Sequence, residues 1–159
     1  MLDGVETRVV EERESEEGKL LEVSRNFFAI CKRTNAVFYF GEEVDIYEEG
    51  KIVSHEGAWL AGEKNAKFGL PMPGMPLIGA KYYQEYAEGV AMDPTEIDDL
   101  DETLATPIEK FKYCLKMEET NTLKLGEKEY KIHAPGVGLF QDEKFKLIQY
   151  GKVALPRNP

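Results

Sequence analysis

Short apolar and aromatic runs, each cut off by glycine and acidic residues, dominate this chain, and few stretches space helix formers at helical intervals. That grammar is the one of strands and hairpins. Segments 6–14 and 19–32 flank Ser15-Glu16-Glu17-Gly18, a polar turn with glycine where positive φ is often required. Ala36 to Phe40 is aromatic on both faces, which predicts a central strand covered on each side, bent or ended by Gly41. Val44 to Tyr47 alternates, reaches Glu48-Glu49-Gly50-Lys51, and returns from Ile52 to Gly57 as a second hairpin.

From Gly57 to Gly79 the pattern breaks. Phe68-Gly69-Leu70-Pro71-Met72-Pro73-Gly74-Met75-Pro76 reads as a loop and not a strand, since closely spaced prolines remove ladder donors. Its apolar side chains need cover, either by folding down on one end of the sheet or by closing a cavity. Tyr82, Tyr83 and Tyr86 fit helix or strand. Asp93-Pro94-Thr95-Glu96 has the residues of a helix start, whereas Thr103 to Pro107 returns to strand chemistry. From Phe111 to Met117 the alternation places Phe111, Tyr113, Leu115 and Met117 on one face, and Cys114 on the more polar one. Leu125-Gly126-Glu127 reads as a turn into 129–134, with Tyr130 and Ile132 inward and Lys131 and His133 outward. Pro135-Gly136-Val137-Gly138 is a tight corner before the last strand through Phe145, Leu147 and Ile148. The expected fold is mainly β: one domain over residues 1–159, a single antiparallel sheet curved into a half-barrel or roll, with a Pro/Gly/Met-rich loop and at most one short helix.

Charge narrows the partners. Twenty Lys and Arg against 30 Asp and Glu, a net of -10, repel phosphate backbones and argue against nucleic acid. No apolar run approaches the roughly 20 residues that span a bilayer as a helix, and residues 1–6 do not resemble an export signal. Cys31 and Cys114 form no Cys-x-x-Cys spacing, so buried thiols and a long-range disulfide both stand as readings.

Phe38-Tyr39-Phe40-Gly41-Glu42-Glu43-Val44-Asp45-Ile46-Tyr47, together with Gly50 to Trp59, resembles the central block of a family of uncharacterised, mostly secreted or lipid-anchored bacterial proteins. Tyr82 to Tyr86, Asp101 to Thr103, Thr106 to Leu115 and Tyr130 to Leu139 resemble the same family in the same order. The resemblance implies an extracytoplasmic β-rich domain, periplasmic or secreted, of the half-barrel type used by lipoprotein carriers, with this chain a shortened or processed version. It also favours strand for 96–106. It supplies no reaction, cofactor or catalytic residue. The chain departs from the family at Pro107-Ile108-Glu109-Lys110-Phe111, where a Pro-Ala-Gly-Thr-Phe turn is expected.

Three kinds of chemistry are open. Aromatics beside a Met-Pro loop suit an apolar cleft for a small hydrophobic ligand, with Trp59, Phe68, Met72, Met75 and Tyr83 as its candidate lining. His55, Glu56 and His133 are candidate metal ligands or an acid-base set for a metal-dependent or carboxylate-based hydrolase, if the fold brings them together. Asp93, Glu96, Asp98, Asp99, Asp101 and Glu102 lack the spacing of a calcium loop and read as a solvated acidic edge. No phosphate loop, dinucleotide fingerprint or nucleophile elbow is present. A non-enzymatic binding or interaction domain is the expected function; a structural assembly protein is the third reading. The sequence identifies no cofactor or oligomeric state.

Overall fold

A computed structural model describes residues 1–120 and 128–152; the turn expected at Leu125-Gly126-Glu127 lies outside the described residues. The described residues contain twelve strands and no helix: β1 Arg8–Glu16, β2 Lys19–Ile30, β3 Val37–Glu48, β4 Lys51–Ser54, β5 Trp59–Leu60, β6 Gly69–Met72, β7 Lys81–Tyr83, β8 Pro94–Ala105, β9 Lys110–Thr120, β10 Lys128–Ala134, β11 Gly138–Asp142 and β12 Phe145–Lys146. All pairings are antiparallel, which meets the mainly β expectation, and the ladders fall into two six-stranded sheets.

In the first sheet β1, β2, β3 and β4 run as a meander, and the far edge of β3 is shared along its length by β6, β5 and β4. The expected central strand is therefore real. Gly41 bends β3 without ending it: with φ of 109° it sits so close to β5 that a Cβ would fall 2.1 Å from the Trp59 carbonyl oxygen. The β1–β2 turn has positive φ at both Glu17 (52°) and Gly18 (78°), the geometry that matches strand twist in a two-residue hairpin.

The second sheet is an unbroken meander from β7 to β12. One backbone bridge, Lys67 to Tyr86, stitches it to the first sheet, and Gly69 packs directly on the Gln84 backbone there. At the other side the Lys144 ammonium meets Glu16 at 2.8 Å, so side chains clasp edges that no ladder joins. The result is a split roll with an interior between the sheets.

Three local expectations are corrected. Gly69–Met72 is strand β6 rather than loop, because β3 offers a free edge there and the prolines at 71 and 73 do not block the pairings at Gly69 and Met72. Tyr113 takes φ of 57°, a bulge that turns its ring out to 70% exposure and buries Cys114 completely, reversing their expected faces. Leu115 and Met117 keep their inward positions. Lys131 and His133 face the interior instead of solvent, while Ile132 is buried on the opposite face. The acidic run 93–102 is an edge beyond its first residues, since β7 pairs only with Pro94–Glu96, and Glu96 and Asp98 pair with Lys81 and Lys116 at 2.8 and 2.7 Å. The 106–109 turn, where the family pattern is absent, is closed by the Thr106 hydroxyl accepting from the backbone N–H groups of Ile108 and Glu109.

Apolar packing forms three clusters. One, around Tyr39, Phe40, Trp59 and Ala66, closes the sheet junction. A second, Ile97, Leu115 and Met117 with Met72 and Tyr82, lies on the interior face of the second sheet. The third, Phe111, Cys114, Ile132, Ala134 and Phe140, covers that sheet's other face.

Candidate functional site

Residues directly opposite each other in an antiparallel ladder share a face. On the first sheet Glu12 opposes Ser24, Glu14 opposes Glu22, Asn26 opposes Glu42, and Glu42 opposes Trp59. On the second, Glu129 opposes Glu119 and Lys131 opposes both Met117 and Asp142. These faces look at one another across the interior, since Lys131 acts electrostatically on Glu12 and Glu42 of the first sheet as well as on Glu85 and Glu119 of its own.

The interior is therefore lined with acid. Lys131 lies 3.0 Å from Glu119 and 3.6 Å from Asp142. Burial alone would lower its pKa, but the carboxylates of Glu119, Asp142 and Glu85 hold it well above the usual lysine range. One ammonium does not balance the wall. Burial first, and mutual repulsion second, pushes Glu14 up to about 7; for Glu42 burial and Glu22 do the same, to about 7, against a smaller opposing pull from Lys131. Glu12, Glu22, Glu85 and Glu119 are raised too, chiefly by burial. His133 is held neutral, its pKa lowered to about 4 by burial and by Lys131.

At the junction end, Glu42 and Trp59 share an open pocket of about 220 Å³ whose wall is apolar at Ala58, Leu60, Ala66, Ala87 and Val90. Glu43, Glu63 and Glu88 stand around it with Lys64. The indole is 6% exposed and packs edge-on against Tyr39, centroids 5.4 Å apart. Tyr39 donates its hydroxyl to Asn26, whose amide reaches Ser24 at 3.1 Å, so the ring that backs the indole is held by a hydrogen-bonded row. The Trp59 indole N–H, by contrast, has no acceptor in the described protein.

Of the five expected ligand-lining residues, Trp59 alone lines this pocket. Phe68 is half exposed and packs against Phe38 and Phe40. Met72 joins the Ile97–Met117 cluster, Met75 is 78% exposed, and Tyr83 stacks edge-on with Tyr86 at the surface. The histidines are on different sheets. His55 lies beside β3, where Nδ1 donates to the Val44 carbonyl at 2.7 Å and sits 3.1 Å from Asp45; Glu56 is exposed beside it, and His133 faces the interior from β10. Among the described residues no three His, Cys, Asp or Glu side chains are arranged to hold a metal ion. Both cysteines are free thiols. No helix of the described residues is long and apolar enough to cross a membrane.

Sequence reasoning missed Glu42, Glu119 and Lys131. A charged residue in a strand reads as solvent-facing, and the only available signal was that acids occupy both alternating faces of β1, at Glu11 and Glu12. No protein-family model, curated protein or solved structure matches the chain.

Proposed function

We propose that this chain is a non-enzymatic binding domain that holds a small ligand with an apolar body against Trp59, and that it acts outside the cytoplasm. The Trp59 indole carries the reading. A buried donor without an acceptor costs about 1–3 kcal/mol, and the residue that carries it lines an open apolar pocket that a carboxyl group also lines. A ligand that accepts from the indole removes that cost on binding. The pocket, about 220 Å³, falls below the roughly 300–1,000 Å³ of drug-sized sites, which limits the occupant to a small molecule. The location outside the cytoplasm is supported by the family resemblance of segments 38–59 and 130–139.

The test is native mass spectrometry of protein purified gently from its own host, with parallel elemental analysis, on the wild type and Trp59→Phe. The expected result is a bound organic mass whose occupancy drops in the variant. Apoprotein alone, or a stoichiometric metal without an organic mass, overturns the reading.

A further inference from the structure

Glu42 is where the acid-lined interior and the Trp59 pocket meet. It faces Glu12 from β1, Glu22 from β2, Tyr39 on its own strand, Glu85 from the segment after β7, and Lys131 from β10. Three of those five neighbours are carboxylates and one is a cation, already held 3.0 Å from Glu119. Around the pocket mouth Glu43, Glu63 and Glu88 outnumber Lys64. The site thus has anionic groups in excess of cations, distributed along a wall. No three of these groups converge tightly enough to share a metal ion, so a point charge is poorly matched and an organic cation spanning several ångströms is well matched.

A second feature is independent of the charges. Among the described residues, buried donors without a protein acceptor include the indole N–H of Trp59, on the same face as Glu42 and directly opposite it, and the side-chain amide nitrogen of Gln84, 5% exposed, at the sheet junction. Ammonium groups only donate. A simple amine would leave the indole unsatisfied, and a neutral alcohol would leave Glu42 without a countercharge.

Resting on the binding reading above, we propose that the ligand is an amino alcohol or a close equivalent: an ammonium group meets Glu42, a neighbouring hydroxyl or carbonyl oxygen accepts from Trp59 Nε1, and an apolar body lies on Ala58, Leu60 and Val90. Binding then draws Glu42 into its ionised form, because the ammonium supplies the favourable charge that its neighbours lack. Affinity for the ammonium ligand therefore rises as pH rises through about 7, where Glu42 loses its proton. The net charge of -10 adds a long-range pull on any cation.

The experiment uses three matched probes, trans-2-aminocyclohexanol, cyclohexylamine and cyclohexanol, each titrated into the full chain and followed by the NMR cross-peak of the one indole N–H. The amino alcohol is expected to bind at least roughly tenfold more tightly than either fragment, a margin of about 1.4 kcal/mol, and to lose that margin in Glu42→Gln. Asp98→Asn makes the same charge change on the exposed side of β8, where Asp98 pairs with Lys116, and leaves binding unchanged. Equal affinities for the three probes, or cyclohexanol binding best, overturn the cationic ligand while leaving a binding site in place. Equal weakening by Glu42→Gln and Asp98→Asn overturns it as unspecific charge attraction. If no probe binds, this inference fails; the binding reading fails with it only if native mass spectrometry also returns bare protein.

Discussion

Glu118 and Glu119 are adjacent on β9 and live in opposite environments. Glu118 faces outward, where Lys128 at 2.6 Å and the Tyr130 hydroxyl at 3.0 Å hold its carboxyl below the usual range. Glu119 faces inward, 4% exposed, and burial raises it despite Lys131 at 3.0 Å. The faces of the second sheet differ in the same way: its outward side carries an apolar cluster around Phe140 at one end, and its inward side carries acid beside the Ile97–Met117 cluster. A roll stabilised partly from outside is free to keep polar groups within, and that division of labour is what leaves the interior available as a site.

The comparison breaks most visibly at Phe140. This ring, 2% exposed, packs on Phe111 with centroids 5.0 Å apart in the cluster on the outward face of the sheet. Phe140→Ala is expected to cost about 3–5 kcal/mol, read from the urea midpoint. Probe binding at a temperature where the variant stays folded should be unchanged. A loss near 1 kcal/mol would mean that the outer cluster carries little of the stability.

A smaller effect, and one that separates the two environments, is the pH dependence of stability. Glu14 and Glu42 titrate from 4.5 in an unperturbed chain to about 7 in the fold. The folded state holds more protons across that window, so these groups favour folding at low pH, and stability falls as pH rises through it. His133 has the opposite sign: its folded value of about 4 lies below the ordinary 6.5, and stability is lost as pH falls between the two. Thermal scans should therefore show the melting temperature rising as pH drops from about 7 toward about 4.5, with the His133 loss offsetting part of that gain below about 6.5. Glu42→Gln should flatten the upper limb; His133→Gln should steepen the lower one. A wild-type melting temperature that climbs steadily from pH 6.5 to 8 would contradict the buried-acid interior.

The antiparallel frame was legible because its turns carry their own chemistry. Glu17-Gly18 and Glu49-Gly50 both place positive φ where a tight hairpin requires it, and the aromatic block ending at Gly41 marked the central strand. The interior was not legible, for a physical reason. Alternation assigns faces only when one face of a strand is buried, and β10 is covered on both: Ile132 and Ala134 pack under Phe140, while Lys131 and His133 face Glu119 and its neighbours. A lysine pointing inward is intelligible only once acids from β1, β3 and β11 are seen to converge on it. Tyr113 shows the other limit, since one residue with positive φ reverses the faces of a strand whose sequence alternates cleanly.

The smallest expected effect concerns the clasp between the two free edges. Lys144 reaches Glu16 at 2.8 Å, and both side chains are more than half exposed. An exposed pair of this kind contributes about 0–1 kcal/mol, so Lys144→Ala should barely move the melting temperature. Its influence should be local. β1 and the short β12 are the outer strands of their sheets, with no ladder between them, and Lys144–Glu16 is a side-chain link across that gap. Removing it should speed amide hydrogen exchange on the outward edge of β1, while exchange at the Lys67–Tyr86 seam stays as it was. Equal acceleration at both places would mean that the sheets open as one cooperative unit, and the split would then be a feature of hydrogen bonding without a separate motion of its own.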